Sequence, residues 1–169
     1  MKQFYTVDRL SKLQGGQVLQ LLKSKDLHPK ELQTHVDALF ADGVSPHGDK
    51  YFLRNSSLAS VASPAIEFLF EYVRRAHSPR RPSRFQSWFA TESIEDAKSF
   101  RTKFGGSGPI WQVTAAIHFR ANMNLLTSNH TSLVYSWFAH TYWRGEAGPV
   151  DPFWEVLLVP PVRVLERVE

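Results

Sequence analysis

Glu155 stands at the head of an apolar run, Phe153-Trp154-Glu155-Val156-Leu157-Leu158-Val159-Pro160-Pro161, where a carboxylate needs a partner or a task. Read as a strand, the run puts Phe153, Glu155, Leu157 and Val159 on one face and Trp154, Val156 and Leu158 on the other. Both faces are apolar enough to be interior, and stripping water from an ionised carboxylate is costly. Two readings stand side by side. Either Glu155 pairs with an arginine at the exposed end of the strand, or it does chemistry. A fixed carboxylate stabilises positive charge developing in a transition state, and one whose pKa is raised by burial can take a proton from a nucleophile. Glu146, in Arg144-Gly145-Glu146, is a rival, but a glycine-flanked loop does not pre-organise a charge and it ranks below Glu155.

The densest positive charge is Arg74, Arg75, Arg80, Arg81 and Arg84, in a window from Tyr72 to Thr91 that holds no acid. Arg84 would meet a phosphate as a bidentate donor while the others attract nucleic acid; the competing reading is a solvated helix end, with Arg74 and Arg75 complementing the helix dipole. Trp137, Phe138, Tyr142 and Trp143 form a core cluster by default, Tyr142 and Trp143 being the two that could stack on a flipped base. His140 beside them reads as a core histidine. Gly105-Gly106-Ser107-Gly108 lacks the Lys-Ser/Thr of a phosphate loop and reads as a turn. None of the seven histidines pairs at ligand spacing with a carboxylate, so no metal is expected.

These groups must be held by a frame of 169 residues, 43% hydrophobic, which is the size of one domain with one substantial core. Twenty basic against sixteen acidic side chains give +4, a mild bias toward an anionic ligand. The absence of cysteine excludes disulfides and thiolate chemistry. No apolar run approaches the ~18 residues of a membrane span, and the first residues lack the apolar stretch of a signal peptide. A cytoplasmic protein is expected, or one delivered into a target cell's cytoplasm.

Gln3 to Val7 reads as a strand, Val18 to Lys25 as a helix, and His28-Pro29 as the start of another helix that ends at Asp42-Gly43. Ser63-Pro64 opens a helix with Ile66, Leu69, Phe70 and Val73 buried and Glu67 and Glu71 facing water. Phe85 to Thr91 is a strand running into a helix capped by Ser93, with Asp96 in capping-box spacing. Ile110 to Thr114 is a strand, Ala115 to Leu126 is extended, and Leu133 to Trp143 is a helix with Leu133, Val134, Trp137 and Phe138 inward. Two closing strands, Phe153 to Val159 and Val162 to Val168, flank Pro160-Pro161. Helices early and strands late make an α+β pattern.

Three segments resemble the ADP-ribosyltransferases, which split NAD at the nicotinamide bond and transfer ADP-ribose. Glu155-Val156-Leu157-Leu158-Val159-Pro160-Pro161 is similar to that family's last core strand with its leading catalytic glutamate, preceded by an acceptor loop, here Arg144 to Pro152. Trp88-Phe89-Ala90-Thr91-Glu92-Ser93 with the helix through Phe100 resembles the central strand-to-helix element, in which Thr91 would support the glutamate and Phe100 would stack on nicotinamide. Phe4-Tyr5-Thr6-Val7-Asp8-Arg9 takes the place of the first strand, whose arginine or histidine holds the NAD ribose. Thr6 falls at that position, leaving open whether Thr6, Asp8 or Arg9 does so. Phe153, two residues before Glu155, departs from arginine-modifying members.

The resemblance implies one domain over residues 1–169 with a split β-sheet core, binding NAD in a cleft between the strand of Tyr5 and Thr6 and the strand of Phe89 and Thr91. Tyr5, Thr6, Asp8, Arg9, Arg84, Ser87, Phe89 and Phe100 would contact NAD. Arg144, Glu146, Tyr142 and Trp143 would contact a macromolecular acceptor, nucleic acid ahead of protein. The toxin-type branch fits best, which implies an antitoxin or immunity partner. NAD hydrolysis and an inactive binding module of the same fold are the alternatives.

Overall fold

The computed structural model describes residues 2–54, 62–104, 106–127 and 130–169, the side chains of 62 and 63 aside. It is α+β, with two antiparallel sheets and five α-helices among the described residues. One sheet has the order β1-β4-β7-β2, formed by β1 (Gln3–Val7), β4 (Ile110–Thr114), β7 (Val162–Arg167) and β2 (Val18–Leu19). The other has the order β3-β6-β5, formed by β3 (Trp88–Ala90), β6 (Trp154–Val159) and β5 (Ile117–Asn122). The helices are α1 (Lys30–Leu39), the single turn α2 (Pro46–Gly48), α3 (Ala62–His77), α4 (Ile94–Lys103) and α5 (Ser132–Arg144).

Strand β6 is central, and its two faces serve two cores. Val156 and Leu158 face the other sheet, with Phe4, Ala90, Val113 and Val164. Leu157 faces α3 and α5, with Phe70, Phe119, Phe138, Tyr142 and Trp143. Each large side chain sealed in this way contributes roughly 1.5–3 kcal/mol by leaving water. Glu155 shares the helix-side face with Leu157 and is only 7% exposed.

β1, β4 and the Ser93 cap form where the sequence places them: the Ser93 hydroxyl accepts from the Asp96 amide at 3.0 Å and caps α4. Other expectations are corrected. Val18 to Lys25 is not a helix. Val18 and Leu19 pair with Arg163 and Val162, and Leu22 bridges Val44, because sheet pairing outweighs the weak local propensity of so short a stretch. Pro29 precedes α1 rather than entering it, and Ser45, Pro46 and the π-helical turn Asp49–Leu53 continue past the Asp42-Gly43 break. In place of a strand from Phe85, Arg84–Gln86 is a 3-10 turn. On α5, Leu133 and Trp137 point outward, 80% and 49% exposed. The cap expected at Ser63 and the first glycine of the Gly105 turn lie outside the described residues.

Candidate functional site

Glu155 does have an arginine partner, and it is Arg84. The 3-10 turn before β3 turns the Arg84 side chain inward under α3, where its guanidinium meets two carboxylates and a phenol. Nε and one terminal nitrogen donate to Glu67 at 2.7 and 3.0 Å, while the other terminal nitrogen bonds Glu155 Oε1 and the Tyr142 hydroxyl. Tyr142 Oη also donates to Glu155 Oε1, at 2.7 Å. The cation lies between aromatic faces, 4.7 Å from the Phe89 centroid and 5.4 Å from that of Tyr142. His47 closes the cluster, its Nε2 3.1 Å from Glu67 Oε1 but off the hydrogen-bonding direction.

Burial works against the charge on Arg84, yet Glu155 and Glu67 outweigh it and hold the guanidinium well above its ordinary pKa. Burial likewise opposes the Glu67 carboxylate, and Arg84 and His47 overcome it and keep Glu67 ionised far below the usual carboxylate range. Tyr142 is pushed up, first by burial and then by Glu155. Glu67 therefore does not face water; α3 delivers it to a buried cation. Nor does Glu71: 2% exposed, it accepts from Arg74, Arg75 and Ser83.

Three of the five arginines of the basic stretch are thus committed to buried carboxylates, while Arg80 and Arg81 stay exposed. Arg74 and Arg75 pair with Glu71, Arg81 donates to the Trp143 carbonyl at 3.1 Å and covers the Phe119 ring, and Arg84 is enclosed. With four of its five N–H groups bonded and only 6% of its surface exposed, Arg84 is not offered to a pyrophosphate. Tyr142 and Trp143, 0% and 1% exposed, cannot stack on a base; the Trp143 indole donates to the Phe70 carbonyl. Arg144 and Glu146 pair with each other on the surface.

Glu155 retains one resource. Both of its bonds fall on Oε1; Oε2 accepts nothing from the described residues, and the side chain keeps 9% of its exposure. Of the Glu67 and Glu155 carboxylate oxygens it is the one without a hydrogen bond among the described residues.

The expected cleft between Tyr5-Thr6 and Phe89-Thr91 is closed by hydrogen bonds. Tyr5 and Thr91 exchange main-chain bonds of 3.0 and 2.8 Å, and the Thr6 hydroxyl donates to the Phe89 carbonyl at 2.8 Å. Thr91 lies where the β3–β6 register, Ala90 against Val156, would next bring it opposite Glu155, but its hydroxyl bonds the Tyr5 and Ser93 carbonyls instead. Asp8 caps its own loop, accepting from Leu10 and Leu13. The buried Ser87 hydroxyl donates to the Ser83 carbonyl. Of the three candidates for a ribose contact, Arg9 alone keeps its side chain exposed without such a commitment.

Arg9 does reach a predicted partner. Its guanidinium carbon lies 5.8 Å from the Phe100 centroid, and Phe100 touches Phe104 at 4.8 Å and Phe153 at 6.3 Å. The end of β1, the end of α4 and the residue two before Glu155 thus meet on one rim. Phe104 and Lys103 at this rim escaped sequence reasoning; two aromatics at i and i+4 with a cation between were the available signal. A cleft of about 490 Å³ opens elsewhere, lined by Arg74, Arg81, Ser83, Val159 and Pro160, at the far end of β6 from Glu155. It contains Arg74 and Arg81 of the basic stretch but none of the residues expected to contact NAD.

The fold and site define an α+β domain whose central strand carries a buried, arginine-paired glutamate beside an open aromatic rim. Residues 4–169 match the family described as Protein of unknown function (DUF2441), and the chain belongs to that family. No curated protein matches it.

Proposed function

We propose that the protein is a mono-ADP-ribosyltransferase acting on a macromolecule, with Glu155 as its catalytic carboxylate. The observation that carries this reading is the convergence at one end of the β3–β6 pair: Glu155 heads β6, Phe153 beside it packs on Phe100 of α4, and Arg9 from the end of β1 covers Phe100. These are the three segments that resemble the transferases. In the reaction the C1′–N bond of NAD breaks, its electron pair leaving with nicotinamide, and positive charge builds on the ribose. Oε2 of Glu155 faces that charge, stabilising the transition state more than the ground state. A lone pair of the acceptor then forms the new bond to C1′, and the acceptor's proton passes to the carboxylate or to water. Arg84 holds Glu155 in place. In this reading Arg9 holds the NAD ribose and Phe100 stacks on the nicotinamide ring.

A second reading has one specific observation behind it. Thr6 and Asp8 are committed to the fold, which leaves Arg9 as the one remaining candidate for the ribose contact and suits an inactive binding module with a structural Glu155. Nicotinamide release from NAD by purified protein, wild type beside Glu155→Gln, with and without RNA, DNA or cell extract, separates the possibilities. Acceptor-dependent release that vanishes in the variant supports transfer. Acceptor-independent release indicates NAD hydrolysis, and no release under any condition indicates the binding module.

A further inference from the structure

We infer that the rim of Phe100, Phe104 and Phe153, with Arg9 and Lys103, binds single-stranded nucleic acid. The inference rests on the proposed function and extends it by naming the acceptor class, and it moves nucleic-acid contact away from the arginine stretch, three of whose five cations are committed to Glu71 and Glu67. The three rings lie 4.8, 6.3 and 6.4 Å apart, mutually tilted, and none is sealed; Phe104 is 41% exposed. Rings that served only as packing would gain more by closing over one another or over the core. Here each keeps a cation beside it. Lys103 Nζ lies 5.7 Å from Phe104 and 5.4 Å from Phe153, and Arg9 lies over Phe100.

Neither cation has a carboxylate partner among the described residues, whereas Lys98 and Arg101 on the same helix both pair with Glu169. The nearest turn of acids on α4, Glu95 and Asp96, lies at its opposite end, with Asp96 bonded to Ser93. Exposed aromatic faces interleaved with unpaired cations match a ligand that alternates flat bases with phosphates: the rings stack on bases irrespective of sequence and the cations track the backbone. A duplex hides its bases and offers only its phosphates. With Phe100 given to nicotinamide, Phe104 and Phe153 present the next base two residues from Glu155.

The test is fluorescence anisotropy of a labelled mixed-pyrimidine oligonucleotide, as DNA and as RNA, against its duplex and against anionic phospholipid vesicles, in two salt concentrations and without NAD. The single strand should bind at least tenfold tighter than the duplex, and the double variant Phe104→Ala, Phe153→Ala should lose about tenfold or more. Phe104→Leu, which keeps the apolar bulk, should lose part of the same affinity. Lys103→Gln should lower the salt slope by about one, and Arg80→Gln, in the arginine stretch, should change nothing. Equal binding of duplex and single strand, wild-type affinity in the double variant, or binding to vesicles in place of the oligonucleotide would overturn the inference. Because NAD is absent, failure of the transferase reading leaves the result standing. Conversely, ADP-ribosylation of a protein with no single-strand binding would sink this inference and spare the transferase.

Discussion

Two regions of this molecule set arginine or lysine against aromatic rings, and they differ in whether a carboxylate completes the contact. Beneath α3, Arg84 lies between Phe89 and Tyr142 with Glu67 and Glu155 supplying the opposite charge, every charged group of it buried. At the rim, Arg9 and Lys103 lie over Phe100, Phe104 and Phe153 with no such partner among the described residues. A cation whose charge is answered inside the protein fixes helices and strands to one another. One whose charge is left open in water retains the ability to bind something else. The ingredients are shared, and the placement of the acids decides which role follows.

The sharpest way to break the comparison is to remove the buried cation. Arg84→Ala leaves Glu67 and Glu155 buried without their shared cation and should cost about 3–5 kcal/mol in chemical denaturation. The equivalent change at the rim, Lys103→Gln, should leave the denaturation midpoint unchanged. Replacing the whole buried set with Glu67→Leu, Arg84→Met and Glu155→Leu should recover most of the loss while abolishing any NAD chemistry. That combination separates the stabilising role of Glu155 from its proposed catalytic one.

Acid sharpens the contrast next. The folded-state pKa of Glu67 lies below its ordinary 4.5, so its contribution is complete above about pH 4.5 and is lost as pH falls toward the depressed folded value. Wild-type stability should therefore fall steeply below that pH, and Glu67→Gln should flatten the fall. On the alkaline side the raised Tyr142 phenol contributes fully below pH 10 and less above it. A smaller effect is expected from Ser93→Ala, which removes the α4 cap and should cost about 1 kcal/mol. The smallest belongs to the exposed pair Arg144 and Glu146, where Glu146→Gln should not move the melting temperature.

The same division governs what could be read from the residues. Local signals were legible: β1 and β4 from aromatic and β-branched runs, α4 from its Ser93 cap, the closing strands from alternation about Pro160-Pro161. So was the question posed by Glu155, whose burial and need for an arginine follow from its neighbours in the run. What could not be read was which arginine. Glu67 and Glu71 fall at helical positions that resemble a solvated face, and their pairing with Arg84, Arg74 and Arg75 depends on where the 3-10 turn brings the chain back under α3. Phe104 and Phe153 stand 49 positions apart and meet through the sheet, which no spacing rule anticipates. Val18 to Lys25 failed for the same reason, since its partners lie in β7 and at Val44.

The Tyr5–Thr91 bridge has a mechanical meaning. The two sheets are joined covalently by short turns, Ala115-Ala116 between β4 and β5 and Pro160-Pro161 between β6 and β7, both at the Gln3 end of β1. Those turns form the spine of a book whose covers are the sheets, with Glu155 near the fore-edge. Two main-chain bonds between Tyr5 and Thr91, with the Thr6 hydroxyl on Phe89, act as the clasp. Any swing of one cover from the other has to undo that clasp as well as part Val156 and Leu158 from Phe4, Val113 and Val164, so the sheets are held together by packing along their faces and by three hydrogen bonds beside the segments on which the proposed chemistry depends.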